Sequence, residues 1–126
     1  MAKYFQTILK CGFILICLLC VNNVLNAQND YYIKRAESYQ REVEYYQSQI
    51  QRYNREIEYY TNEANKNFRD AQYYFRNNKY NQAVSCLRQA YSNMGKANDY
   101  SNMAENARDN VKSYIRRMEA AIQNIK

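Results

Sequence analysis

From Tyr31 onward, apolar residues recur at alternating steps of three and four, and polar residues fill the gaps. One column holds Ala36, Val43, Ile50, Ile57, Ala64 and Ala71. A second holds Tyr32, Tyr39, Tyr46, Tyr53, Tyr60 and Tyr74, interrupted only by Asn67. Steps of this kind place both columns on one face of a helix, as the a and d positions of a heptad. No stretch alternates in the manner of a strand between turn signals. The pattern predicts a first helix over about 29–77. Its end falls at Arg76-Asn77-Asn78-Lys79, where asparagine tolerates the left-handed conformation that closes a helix.

Beyond that turn the pattern predicts a second helix over about 80–125. Its main column is Ala83, Ala90, Ala97, Ala104, Val111, Met118 and Ile125. A companion column starts as Tyr80, Leu87 and Met94 and continues as Tyr100, Ala107, Tyr114 and Ala121. That change of side is expected to fall around Gly95 to Asn98, as a kink or break. The two arms are nearly equal in length. Folding the chain at the turn sets Tyr60 against Ala97, Tyr53 against Ala104 and Ile57 against Tyr100. A large ring opposite a small residue lets two helices approach closely. The predicted fold is all-α: a long antiparallel helical hairpin, coiled-coil-like, with its turn near residues 76–80. At ~1.5 Å per residue each arm would run about 70 Å. The alternative is a three- or four-helix bundle broken near Gly95.

The chain also repeats itself. Arg41-Glu-Val-Glu-Tyr-Tyr46 recurs as Arg55-Glu-Ile-Glu-Tyr-Tyr60, and more loosely as Arg69-Asp-Ala-Gln-Tyr-Tyr74. The tyrosine doublets at 31–32, 45–46, 59–60 and 73–74 mark this period of two heptads. The second tyrosine of each doublet faces the seam. The first, at Tyr31, Tyr45, Tyr59 or Tyr73, lies about 100° round the helix, outside the seam. These four form the candidate interaction surface, since tyrosine is enriched where proteins meet. The alternative is that each ring merely covers its neighbours along the helix.

The first residues differ in character. Lys3 and Lys10 flank an apolar run from Cys11 to Val21, and a polar stretch leads to Leu25-Asn26-Ala27. This layout predicts a signal peptide, residues 1–27, cleaved after Ala27, and hence an exported chain, periplasmic or extracellular. The run is shorter than the ~20 residues a membrane span needs. Cleavage would remove Cys11, Cys17 and Cys20 and leave Cys86 alone, so no internal disulfide is expected in residues 28–126. Cys86 reads as a small apolar helix residue, with pairing between chains as the alternative.

Composition narrows the chemistry. The whole chain has 18 Lys+Arg against 12 Asp+Glu. These charges are interspersed and form no basic stripe, so no nucleic-acid partner is expected. Histidine and tryptophan are absent, which removes histidine-based triads and most zinc sites. No glycine-rich loop is present to cradle a phosphate. Glu42/Glu44 and Glu56/Glu58 are paired carboxylates on expected solvent-facing positions, without the enclosure that acid–base chemistry requires. The chain therefore reads as a non-enzyme without a cofactor or metal. A protein partner or self-association, including a four-helix bundle of two hairpins, is expected. Association with a membrane surface is a further alternative that the even charge distribution does not favour.

Residues 64–97 resemble a single tetratricopeptide repeat. The match runs through Ala71 and Tyr74, then Asn78-Lys79-Tyr80, Ala83-Val84, Leu87 and Ala90-Tyr91. Asn67 stands at the family's early tryptophan position, and the late proline is missing. The resemblance implies an antiparallel helix pair at this place, and a peptide- or protein-binding adaptor as the alternative function. It also implies that the second helix ends near Met94 and that a third begins near Asn98.

Overall fold

The computed structural model describes the backbone of residues 2–125 and the side chains of residues 24–125. The apolar run from Cys11 to Val21, which carries the signal-peptide expectation, lies outside the described side chains. Two elements make up the fold: α1 (Ala2–Arg76) and α2 (Tyr80–Gln123). They pack against each other as an antiparallel hairpin, and no strand occurs among the described residues. The expected all-α hairpin is therefore the observed fold. The chain divides into two compact units, one built from residues 42–114 and one from residues 1–41 with 115–126.

The turn lies in the first of these units. Asn78 adopts a left-handed backbone with φ of 57°. The Lys79 amide donates to the Tyr74 carbonyl at 2.9 Å, and the Asn78 amide to the Phe75 carbonyl at 3.1 Å. This paired closure is a Schellman motif, with asparagine where glycine is commonest. The Asn77 side-chain amide donates to the Tyr73 carbonyl at 2.8 Å, so a further terminal acceptor of α1 is satisfied. The Phe75 and Tyr80 rings meet edge-on across the turn, 5.5 Å apart.

Both heptad columns of α1 are withdrawn from solvent. In the 42–114 unit, Val43, Ala64 and Ala71 are buried, and Tyr46, Ile50, Tyr53, Ile57, Tyr60 and Tyr74 are half-buried. Asn67, the polar interruption, donates to the Glu63 carbonyl of its own helix at 3.0 Å. It thus takes its seam position without an unsatisfied amide. From α2 come Ala83, Ala90, Ala104 and Ala107, all buried. Tyr100 lies between two tyrosines of α1. It stacks on Tyr60 at 5.8 Å and meets Tyr53 at 6.1 Å. That puts it at the level of Ile57, the neighbour expected for it. Tyr114 stacks on Tyr46 at 5.8 Å, so the seam holds ring-on-ring layers that the expected pairing of rings with alanines does not include.

Two expectations for α2 are corrected. The helix passes through Gly95 without a break, so it does not end near Met94, and the three- or four-helix alternative does not hold. The companion column does not change side either. Tyr80, Leu87 and Met94 are exposed, and the positions drawn toward α1 are Cys86, Asn93, Tyr100, Ala107, Tyr114 and Ala121. These step by seven throughout. The seam selects positions by geometry, so a cysteine and an asparagine occupy places that side-chain size would award to the leucine and methionine beside them.

In the other unit, Tyr32, Ala36 and Tyr39 of α1 are half-buried, as are Ile115 and Met118 of α2, and Ala121 is buried. A cleft of about 210 Å³ there is lined by Tyr32, Arg35, Tyr39, Arg117 and Ala121, among others.

Candidate interaction surface

Each first tyrosine of a doublet projects outside the seam. Tyr45, Tyr59 and Tyr73 of the 42–114 unit are 55%, 58% and 61% exposed, and Tyr31 of the other unit is 55% exposed. The arrangement within each doublet is nearly the same. The two rings meet edge-on at 5.1–5.5 Å with interplanar angles of 67–76°. The half-buried second ring thus buttresses the exposed first one. Edge-to-face pairs of this kind contribute about 0.5–1.5 kcal/mol beyond the area they bury. They also restrict the exposed ring, which lowers the entropy lost when something binds it.

The local chemistry varies from ring to ring. The Tyr31 hydroxyl accepts from Arg35 Nη1 at 2.9 Å, and Arg35 Nε donates to the Tyr39 hydroxyl at 2.8 Å. The guanidinium also lies within 5.9 Å of both ring centroids. Arg35 consequently holds its proton more firmly than an isolated arginine, first through its bond to Tyr39. Among the second tyrosines, Tyr46 has its hydroxyl pKa raised, chiefly by partial withdrawal from water, with Tyr114, Glu42 and Tyr45 adding to the effect. The Lys96 ammonium lies 5.1 Å from the Tyr60 ring centre.

Of the paired carboxylates, Glu42, Glu44 and Glu58 are exposed and Glu56 is half-buried. Cys86 is a free thiol, half-buried in the α2 seam column. Among the described residues no group of acidic or cysteine side chains is arranged to hold a metal. No helix, among those residues, is long and apolar enough to cross a membrane.

A second exposed surface lies beside the turn, on the opposite flank of α1 from the tyrosines. Phe68 and Phe75 of α1 are exposed there, with Tyr80, Val84, Leu87, Tyr91 and Met94 of α2. Tyr91 is 81% exposed and Phe75 63%. A groove of about 350 Å³ runs between Phe68, Phe75, Ala83 and Leu87, with Arg76 on its edge. A second, of about 450 Å³, lies between Phe68, Val84, Leu87, Arg88 and Tyr91. Sequence reasoning assigned Tyr80, Leu87 and Met94 to the core and missed this patch. The available signal was the step of seven that carries Tyr100 back to Asn93 and Cys86, which leaves Leu87 and Met94 outside. No family model matches the chain, and no curated protein or solved structure matches it.

Proposed function

We propose that this chain is an exported, non-enzymatic helical protein that bridges or spaces other components through protein contacts. The observation that carries the reading is the series of exposed tyrosines, each braced edge-on by its neighbour. Braced rings offer large contact area at low entropic cost, which is what an interface uses and a solvated helix face does not need. In the same reading, the paired glutamates and the interspersed lysines and arginines keep the remaining faces in water. Residues 1–27 would serve as the export signal and leave the hairpin as the working part.

A photoreactive residue at position 59, expressed in the native cell, tests this. A discrete crosslinked adduct is expected from position 59 and none from position 47, an exposed glutamine on the other flank of α1. Absence of an adduct at 59, or equal adducts at both positions, would remove the reading.

A further inference from the structure

The patch beside the turn is sharply bounded. On α1, the column that carries Phe75 and Phe68 continues away from the turn as Thr61, Asn54 and Gln47. On α2, the column of Tyr80, Leu87 and Met94 continues as Ser101 and Arg108. Arg108 Nη2 donates to Asn54 Oδ1 at 3.4 Å, which joins the two helices by a polar contact where the apolar surface has ended. Both helices therefore turn apolar together over the same short length. Residues placed only to fill a heptad would not change in step on two helices at positions outside the seam.

Its size is that of an interface. At their observed exposures, Phe68, Phe75, Tyr80 and Tyr91 leave roughly 450 Å² of aromatic surface open. With Val84, Leu87 and Met94 the patch reaches about 700 Å². That is comparable to the ~300–600 Å² of the largest patch on most monomers, and it approaches the ~800 Å² that one partner contributes to a standard interface.

The charge around it is mostly of one sign. Arg69, Arg76, Lys79 and Arg88 lie within residues 68–91 against a single carboxylate, Asp70. Arg76 and Arg88 line the grooves themselves. Among the described residues, neither of these two makes an ion pair. A second copy docked face to face would bring Arg76 and Arg88 of both copies onto grooves that no carboxylate lines. A flat lipid surface would leave the two concave grooves unfilled.

We propose that this patch is a docking groove for an acidic amphipathic helix of another protein. Apolar side chains of that helix, at steps of three and four, fill the grooves on either side of Phe68 and Leu87. Its flanking carboxylates face Arg76 and Arg88. The proposal rests on the interaction reading above and names a partner chemistry for a different face.

The test uses the full chain and a labelled synthetic peptide of about 18 residues, long enough to hold a helix. The peptide carries leucines at helical spacing and glutamates on the flanks; a control replaces each glutamate with lysine. Fluorescence anisotropy is expected to show saturable binding of the acidic peptide below about 1 mM, and at least tenfold weaker binding of the lysine control. Leu87→Asp, and separately the pair Arg76→Glu with Arg88→Glu, are expected to weaken the acidic peptide roughly tenfold. Circular dichroism should show unchanged helix content, since all three side chains are exposed. The charge-reversed pair is expected to gain affinity for the lysine peptide, which a merely damaged fold would not do.

Absence of binding, equal binding of both peptides, or indifference to the charge reversal would overturn the proposal. Two other occupants would also overturn it. One is self-association abolished by Leu87→Asp. The other is sedimentation with phosphatidylglycerol-containing vesicles that competes with the peptide. If the peptide fails while the adduct at position 59 persists, only the docking groove falls and the interaction reading stands.

Discussion

Ala90 and Ala104 are fully buried, and among the described residues no large side chain is. The centre of the seam is thus made from the smallest apolar residue, and the tyrosines close its edges with part of each ring still wet. Overpacking is the characteristic weakness of such a seam. Ala90→Leu is expected to cost about 1–3 kcal/mol in urea denaturation, because the facing helix has no gap to receive the extra carbons. Tyr59→Ala, outside the seam, is expected to change stability by no more than ~0.5 kcal/mol apart from the loss of its ring contact with Tyr60. A full seam-sized loss at Tyr59 would show that its ring is structural. Tyr46 makes a separate prediction. Its folded pKa is raised, so the neutral phenol is favoured in the fold. The stability this represents is present below the unfolded tyrosine pKa of about 10 and is lost as pH rises through the folded value. In a tyrosine titration followed by ultraviolet absorbance, replacing Tyr46 with phenylalanine should remove a late-ionising component.

At the scale of the element, the helices and their turn were legible because local chemistry and periodicity agree. Asn77-Asn78 announces the left-handed closure, and Asn78 supplies it with a positive φ. Asn78→Ala is expected to destabilise the hairpin by about 1–2 kcal/mol, whereas Asn78→Gly should be neutral or stabilising, as read from thermal melts. Gly95 was misleading. A lone glycine in a helical pattern suggests a break, yet α2 runs through it, and a Cβ there would meet nothing within 4 Å. Gly95→Ala is therefore expected to stabilise the protein by roughly 0.5–1 kcal/mol. A loss of stability instead would mean that the backbone at Gly95 needs freedom that a helix does not use. The same misplaced break hid the patch beside the turn. Once a change of side was allowed at Gly95, Leu87 and Met94 could be counted as core. Propensity and size favoured that choice, and only the unbroken step from Cys86 to Ala121 argues against it. The Tyr46–Tyr114 stack was out of reach for a different reason. Heptad arithmetic sets the level of a residue but not the rotamer that brings two rings together.

At the scale of the whole molecule, the two exposed surfaces differ in kind. The tyrosine surface repeats at intervals along α1, and it offers the same braced ring at each step. The patch beside the turn is single, concave and bordered by cations. A protein with both would hold a repetitive contact and a discrete one at once. Salt separates them experimentally. Binding at the cationic patch should weaken several-fold as ionic strength rises from about 0.05 to 0.5 M, because the screening length shrinks to a few ångströms. A contact made by neutral tyrosines should change little over the same range. Equal salt dependence for adducts formed at positions 59 and 91 would show that the two surfaces do not differ in this way.

The alanine seam has a last consequence, for the life of the protein rather than its shape. A core of small residues leaves a narrow margin of free energy between the hairpin and the open chain. Whatever binds only the hairpin then decides how much of it persists. A ligand at a hundred times its dissociation constant adds about 2.7 kcal/mol, a large fraction of what a domain this size holds alone. With a partner of the kind proposed above, abundance would follow that partner's supply, because unoccupied copies would open more often and be degraded first.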